Sequence, residues 1–189
     1  KSLNGRSPTV KYTTADGLKS NSFFHIFEDT NGDIWVSTRG SGGEGHGVAR
    51  LRRGESRFVH FTQAEGFPPG KSAASYARDP YGNIWLGFYE GGMARFDGDR
   101  FTVFSSNDGL PGNGHIADLH VDRKGVLWLA SSIEGLLKVA DPGATTPVFE
   151  RVTIDAGNVS SNIRTLTEDR FGRLYLGTAR GVVRYSPET

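Results

Sequence analysis

The chain repeats one pattern four times, and this repetition restricts its fold more than any other feature. The pattern is an acid, a glycine three residues later, an aromatic residue three further on, and apolar neighbours, as in EDTNGDIWVST over residues 28–38. Its copies lie 43 to 50 residues apart. The aligned columns are Asp29, Asp79, Asp122 and Asp169; Gly32, Gly82, Gly125 and Gly172; and Trp35, Trp85, Trp128 and Tyr175. Repeats of this length indicate structural units that stack on one another.

Each repeat predicts short strands joined by turns. In the Asp-x-x-Gly segment the acid can accept backbone N–H bonds and the glycine supplies a positive φ, so the segment predicts a tight turn between the first and second strands. Apolar residues flank the aromatic column, so the second strand is apolar on both faces. A sheet that faced water on one side would alternate with polar residues instead. We therefore expect each sheet to lie between two neighbours, with the acid, glycine and aromatic columns as scaffold.

These features predict an all-β chain, a β-propeller with four blades of four antiparallel strands. The blades are expected at approximately 22–61, 72–104, 115–152 and 162–185, with residues 9–14 as a closing strand beside 181–185. Closure is possible within one four-bladed ring, or between two chains in an eight-bladed ring. Bulky Trp side chains favour the wider, two-chain ring, and an open half-ring would leave apolar faces exposed.

The composition narrows the possible functions. The 22 basic and 21 acidic residues nearly cancel, which argues against a nucleic-acid surface or contact of this segment with an anionic membrane. The chain has no cysteine, and therefore no disulfide or thiolate metal site. No apolar run is long enough to span a bilayer. We predict no cofactor.

The stretch YTTADGLKSNSFFHIFEDTNGDIWVSTRG and its three echoes resemble the two-component regulator propeller repeat. The resemblance extends roughly over residues 9–185, with Tyr175 in place of tryptophan in the fourth repeat. It implies a β-propeller sensor segment in the periplasmic or extracellular part of a bacterial protein, with an oligosaccharide as the usual ligand class. It also implies a parent protein that carries a histidine kinase and has more than four blades.

The loops between second and third strands differ among the copies, and divergence among internal repeats is where a specific site would be built. They hold aromatic, acidic and basic side chains suited to a sugar or peptide. The candidate ligand-binding residues are Arg39, His46, Tyr89, Glu90, Glu134 and Arg180.

Other motifs are weaker. GSGGEG at 40–45 matches a dinucleotide fingerprint and GFPPGKS at 66–72 nearly matches a P-loop, but neither is followed by a predicted helix. His115, Asp118, His120 and Asp122 are a possible metal cluster, although Asp122 belongs to the turn column; we predict no metal site. The basic column at Arg50, Arg95, Lys138 and Arg184 is expected to form outward ion pairs.

The preferred hypothesis is a non-catalytic ligand-sensing propeller segment rather than an enzyme. The alternatives are a propeller-type lyase or hydrolase, which needs a metal and a catalytic histidine, and a protein-interaction scaffold. Convergence of His46, or of His115 and His120, with acids on the loop face would favour the enzyme.

Overall fold

The computed structural model describes residues 9–39, 46–110, 114–154 and 161–187. Within these ranges the strands form four antiparallel sheets, three of four strands and one of three. In chain order the strands are β1 (Phe23–Glu28), β2 (Ile34–Thr38), β3 (Gly47–Leu51), β4 (Val59–His60), β5 (Ala73–Arg78), β6 (Ile84–Phe88), β7 (Met93–Phe96), β8 (Phe101–Phe104), β9 (Ile116–Val121), β10 (Leu127–Ser131), β11 (Gly135–Val139), β12 (Glu150–Arg151), β13 (Ile163–Glu168), β14 (Leu174–Thr178) and β15 (Gly181–Tyr185).

Each sheet holds its strands in chain order and is one repeat of the sequence. The first sheet runs β1-β2-β3-β4, the next two repeat this arrangement, and the fourth stops after β13-β14-β15. The predicted β-propeller of antiparallel blades is therefore confirmed. Among the described residues the helices are three-residue 3-10 turns, and none could cross a membrane.

The core lies between consecutive blades, where the aromatic column packs against the next sheet. Trp35 is buried, stacks on Phe61 at a centroid distance of 5.3 Å and meets Phe96 of the second blade edge-on at 5.4 Å. A small residue follows two positions later in each blade. At Gly87 a Cβ atom would lie 2.5 Å from Ile116 Cγ2 of the third blade. The small column therefore sets how closely two blades approach.

A second repeated signature, such as TTADG and TQAEG, folds as a capped 3-10 turn before each of the first three blades. Thr62 accepts a bond from the N–H of Ala64, while Glu65 accepts from the Thr62 backbone, and Gly66 ends the turn at φ 82°. A Cβ atom at Gly66 would lie 2.7 Å from the Phe101 carbonyl oxygen, so the glycine lets this turn sit directly on the following blade. The signature is scaffold.

The ring of blades is open. The extensive contacts between sheets join β1 with β5, β5 with β9 and β9 with β13, each to the next in the chain. Within the described part of the chain, the first blade has no neighbour on the face away from the second blade. On that face Ile26 is 63% exposed, whereas Tyr76 and Leu119 at the same position of the next two blades are 5% and 6% exposed. A single chain thus forms an arc of four blades rather than a closed four-bladed ring.

The closing strand expected at residues 9–14 is not formed within one chain. Residues 9–13 have no regular secondary structure, and β15 pairs with β14 alone among the described strands. Tyr12 packs edge-on against Phe58 of the first blade at 5.4 Å instead. The first segment therefore contributes to the packing of the first blade and does not pair with β15 of its own chain. Pairing between two chains stays a prediction.

Candidate functional site

The repeated acid column is a structural device on the turn side of the blades. In the second blade, Asp79 Oδ1 accepts the backbone N–H groups of Tyr81 and Asn83 at 3.0 and 2.9 Å. Its Oδ2 accepts the indole Nε1–H of Trp85 at 3.0 Å. The glycine of the turn, Gly82, has φ 94°. The acid therefore fixes both the turn and the tryptophan of its own blade, a bond that repeat columns alone do not reveal.

The fourth blade keeps this arrangement with different residues. Tyr175 has no indole N–H, and Arg173 donates from Nε to Asp169 Oδ2 at 2.7 Å instead. Burial acts to raise the pKa of Asp169, but the bond and charge of Arg173 and the backbone donors outweigh it and lower the pKa to about 2. The indole donor lost at position 175 is thus replaced by the guanidinium of Arg173, two residues earlier in the chain.

The basic column was expected to point outward and form ion pairs. In the first two blades this prediction is wrong, because the arginines lie on aromatic rings between blades. The Arg50 guanidinium lies 5.3 Å from the Trp35 ring, and that of Arg95 lies 5.5 Å from Trp85. Arg50 also makes a long ion pair with Asp33, 3.9 Å. These arginines fill the space between blades, since a guanidinium packs flat on an aromatic face. They belong to the scaffold and form no polyanion site.

The opposite side of the arc has a shared backbone frame with unlike side chains. In each blade the same backbone hydrogen bond joins the two loops on this side. The residue just after the second strand donates its N–H to the carbonyl of the residue just before the first strand. These pairs are Arg39 to Ser22 (3.1 Å), Tyr89 to Ser72 (3.1 Å), Ser132 to His115 (3.0 Å) and Ala179 to Asn162 (3.3 Å). One frame therefore presents different chemistry in every blade, as expected for a site built on a repeat scaffold.

A β-bulge in the first strand of each blade aims one side chain into a common cavity. The register shifts once in every pairing of first and second strands, at Phe24, Ala74, Ala117 and Arg164. All four of these residues line a cavity of about 320 Å³, together with His115, Ser132 and Asn162. Bulges commonly re-aim a side chain in this way. We call this cavity and its rim residues Arg39 and Tyr89 the loop-face cup.

Aromatic and cationic side chains form one wall of the loop-face cup. The Phe24 and Tyr89 rings meet edge-on at 5.3 Å, and Tyr89 packs on His115 at 4.7 Å. The Arg39 guanidinium lies 4.2 Å from the Tyr89 centroid and 5.5 Å from that of Phe24. Phe24 and Tyr89 are 38% and 40% exposed, so apolar ring surface stays open to solvent.

The surroundings of His115 in this wall favour its neutral form. Burial lowers the pKa of His115, the carboxylate of Glu90 acts against this shift, and the charge of Arg39 adds to it. A neutral imidazole packs against Tyr89 and leaves Arg39 as the cation at this edge. The arrangement offers stacking surface and hydrogen-bonding groups side by side.

Of the six predicted site residues, four come together beside the cup. Arg39 and Tyr89 form its rim. Glu90 accepts from the N–H and Oγ of Ser72 at 3.0 and 2.8 Å, and its Oε1 lies 3.7 Å from His46 Nδ1. Glu90 is therefore an anchor that holds two loops together, while Arg39 and Tyr89 remain available to a ligand.

The other two predicted residues do not join this cluster. Glu134 is engaged in an ion pair with Arg151. Arg180 is exposed at the tip of the β14–β15 turn, where its backbone N–H bonds Thr178. Neither lines the cavity of the loop-face cup.

Sequence reasoning missed Phe24, Asn162 and Arg164 as site residues and considered His115 for a metal only. These residues open the first strands, which had been treated as packing elements. The repeats differ at these positions as much as they do in the loops. The bulge position is Phe, Ala, Ala and Arg in the four blades, and the position two residues earlier is Ser, Ser, His and Asn. Comparison of these columns is the signal that could have found them.

The possible metal cluster is not assembled. Asp118 bonds the hydroxyl of Thr165 at 2.8 Å, His120 faces Glu168 at 3.5 Å, and Asp122 holds the indole of Trp128. Within the described ranges no three metal-ligating side chains lie together.

Of the two nucleotide-like motifs, only GFPPGKS lies within the described residues, and it does not have the strand–loop–helix context of a phosphate site. GSGGEG at 40–45 lies outside the described residues. In GFPPGKS, the segment leads into β5 rather than a helix, and Lys71 donates to the carbonyls of Glu90 and Gly91.

The fold and site define a class: an open β-propeller arc whose variable face carries a small cup. The resemblance stated from the sequence is confirmed at the first repeat, where the two component regulator propeller family model matches residues 17–40. No curated protein matches the chain in sequence.

Solved structures share the fold. The extracellular domain of the putative hybrid two component system BT3049 from B. thetaiotaomicron superposes with a TM-score of 0.75 at 23% identity, over 98% of this chain and 24% of that one. That of the putative one component system BT4673 from the same organism gives 0.73 at 19% identity, over 99% and 24%. PorZ, a surface component of the type-IX secretion system of Porphyromonas gingivalis, gives 0.67 at 21% identity, over 90% and 27%. The chain thus spans about a quarter of the length of the chains in these structures.

Proposed function

We propose that the chain is a non-catalytic ligand-sensing segment of a bacterial two-component sensor, and that it binds an oligosaccharide or another small extracytoplasmic ligand in the loop-face cup. The observation that carries this proposal is the convergence of the four bulge residues on one cavity. A repeat scaffold that keeps its backbone constant and varies its side chains at one place has the layout of a binding site.

The chemistry of the cup suits a sugar-sized ligand. Phe24 and Tyr89 offer exposed ring surface against which the C–H face of a pyranose can pack. Asn162, Ser132 and Arg39 supply donors and acceptors at the edges of that surface. A mainly apolar concave site with a few placed polar groups is the usual design of a small-molecule site.

The position of the chain in a signalling protein is proposed from its likeness to the two B. thetaiotaomicron extracellular domains. We propose that it lies in the periplasm or outside the cell and belongs to a protein that also carries a histidine kinase. Ligand binding across blades would change their packing against the next domain, and so transmit a signal without chemistry.

The lyase and hydrolase hypothesis finds less support in the geometry. His115 is in the cup, but it packs on Tyr89, and the acid that acts on its charge, Glu90, is bonded to Ser72. His120 faces Glu168 at the other side of the blade. His46 does meet one acid of the loop face, Glu90, at 3.7 Å, but Glu90 is bonded to Ser72, and within the described residues no third metal-ligating side chain joins them.

We further propose that a second copy of the chain closes the ring. In the first two blades the last aromatic of one blade fills the space before the next: Phe61 stacks on Trp35 and meets Phe101 edge-on at 5.1 Å. Tyr12 occupies the same position before the first blade, edge-on to Phe58, with no tryptophan on its other side among the described residues. Tyr175, on the open face of the fourth blade of a second chain, is the aromatic that would complete this contact.

A glycan array with the purified chain tests the binding function. We expect binding to at least one oligosaccharide, and isothermal titration should show that Tyr89→Ala weakens it at least tenfold. Tyr81→Ala is the matched control, because Tyr81 is an exposed tyrosine of the same blade on the turn side. Equal loss in both variants would contradict the site. No glycan bound, with a protein partner bound instead, would favour the interaction scaffold.

A further inference from the structure

The charged side chains in the cavity and rim of the loop-face cup are arginines, and the neighbouring acid Glu90 is bonded to Ser72. Arg164 lines the cavity and Arg39 lies at its rim, whereas no carboxylate lines the cavity within the described residues. The first strand of the third blade carries one acid, Asp118. Its carboxylate accepts hydrogen bonds from the Thr165 hydroxyl and the Leu166 N–H at 2.8 and 2.9 Å. The cup is therefore cationic in a chain whose overall charge is close to neutral.

Both arginines lack an acidic partner. Among the described residues neither Arg39 nor Arg164 makes an ion pair with a carboxylate. The Arg39 guanidinium lies 4.2 Å from the centroid of Tyr89, and stacking on a ring leaves the N–H donors at the guanidinium edge for another partner. A guanidinium oriented in this way presents a planar set of donors that matches a carboxylate or sulfate.

The floor of the cup strengthens such an interaction. The bulge residues of the second and third blades are small and apolar, with Ala74 buried and Ala117 half-buried. They lie between Arg39 of the first blade and Arg164 of the fourth. An anion in the cavity would lie against this low-dielectric surface, where charge attraction exceeds that in open water.

We infer that the ligand of the loop-face cup carries an anionic group, a carboxylate or a sulfate, that is bound by Arg39 and Arg164 while Tyr89 and Phe24 pack against the rest of the molecule. This inference rests on the proposed binding function and specifies its ligand class as an acidic oligosaccharide rather than a neutral one.

The test uses inorganic anions as probes, with NMR of the arginine Nε–H groups. Sodium sulfate and sodium acetate are titrated at constant ionic strength kept with sodium chloride. We expect saturable shifts of the Arg39 and Arg164 signals with either or both anions, which also tells a sulfate preference from a carboxylate preference. Shifts that rise without saturation, or that chloride reproduces, would overturn the inference.

Variants separate the cup from general surface charge. Arg164→Gln and Arg39→Gln should each weaken the apparent anion affinity at least fivefold. Arg100→Gln is the control, because Arg100 is an exposed arginine on the turn side and its loss should change nothing. Amide spectra verify that each variant folds. Equal effects of all three variants would show diffuse attraction instead of a site.

The inference and the binding function fail in different ways. If a neutral glycan binds with dependence on Tyr89 and sulfate does not compete, the anionic class is wrong and the binding function stands. If sulfate binds at Arg39 and Arg164 while no glycan of any charge binds, the oligosaccharide function is wrong and the anion site stands.

Discussion

At the scale of single residues, the tryptophan column carries most of the packing between blades. Trp85 is fully buried, stacks on Phe104 at 5.3 Å and is fixed by Asp79. We expect Trp85→Ala to lower the free energy of unfolding by roughly 3–5 kcal/mol, because a large aromatic is removed from a close-packed interface. Urea denaturation measures the change, and a loss below about 1 kcal/mol would contradict this placement.

The exchange in the fourth blade gives a titration test. The folded chain holds the pKa of Asp169 at about 2, opposed by burial and stabilised chiefly by Arg173. Since this pKa is below that of a free Asp, the contribution to stability is present above about pH 4 and is lost as the pH falls towards 2. We expect Arg173→Gln to raise the pKa of Asp169, as followed by the carboxyl carbon shift in NMR. An unchanged midpoint would show that the backbone donors alone lower it.

The half-buried His60 adds a pH dependence of stability nearer neutrality. Burial, with a smaller effect of Lys19, lowers the pKa of His60 to about 4. Since an unfolded chain titrates near pH 6.5, the folded state binds fewer protons, and stability present above about pH 6.5 is lost as the pH falls towards 4.

The second blade supplies the matched replacement for this histidine, since Val103 stands at the position of His60. Between about pH 7 and pH 5 we expect His60→Val to lose less stability than the wild type, measured by urea midpoints. The burial of His25 and His115 also lowers their pKa values and leaves a residual dependence in the variant. Equal losses in both proteins would contradict the assignment.

At the scale of strands and blades, the small column limits how closely sheets pack. A Cβ atom at Gly87 would clash with both Ser75 Oγ and Ile116 Cγ2 at 2.5 Å, so Gly87→Ala must push two blades apart. We expect a loss of about 1–3 kcal/mol. Gly177 is the control from the same column, since its Cβ atom would meet only the Thr165 side chain at 2.7 Å and no further blade. Thermal unfolding should show Gly177→Ala as the milder change, and the reverse order would contradict the packing account.

The features that repeat in every blade could be predicted from the sequence. The Asp-x-x-Gly turns and tryptophan strands recur in register, so their roles could be derived from columns alone. The bulge residues could not, because Ala74 and Ala117 have the composition of ordinary strand positions and only the pairing register shows that Phe24 and Arg164 share one cavity with them. Glu90 likewise looked like a free loop acid, and its bonds to Ser72 depend on a contact between distant segments.

At the scale of the whole molecule, the open faces of the arc decide its assembly. Ile26 is 63% exposed on the first blade, where later blades are covered by a neighbour. We expect light scattering coupled to size exclusion to give a mass near twice the 20.5 kDa of one chain. Ile26→Lys should shift it to the single-chain value, because a charge would be buried in the contact.

The control for assembly is Ile133→Lys, since Ile133 is similarly exposed at 60% but lies in the β10–β11 turn. This variant should keep the mass of the wild type. A 20.5 kDa particle for the wild type at micromolar concentration would contradict closure by a second copy.

The central claim is that one side of the arc is scaffold and the other is the binding face, and amide hydrogen exchange tests it most directly. The chain is compared with and without the oligosaccharide selected by the glycan array. We predict that the ligand slows exchange around residues 22–24, 72–74, 89–92, 115–117 and 162–164, and leaves the Asp-x-x-Gly turns at 29–33, 79–83 and 122–126 unchanged. Slowed exchange at the turns with no change around the loop-face cup would contradict the account.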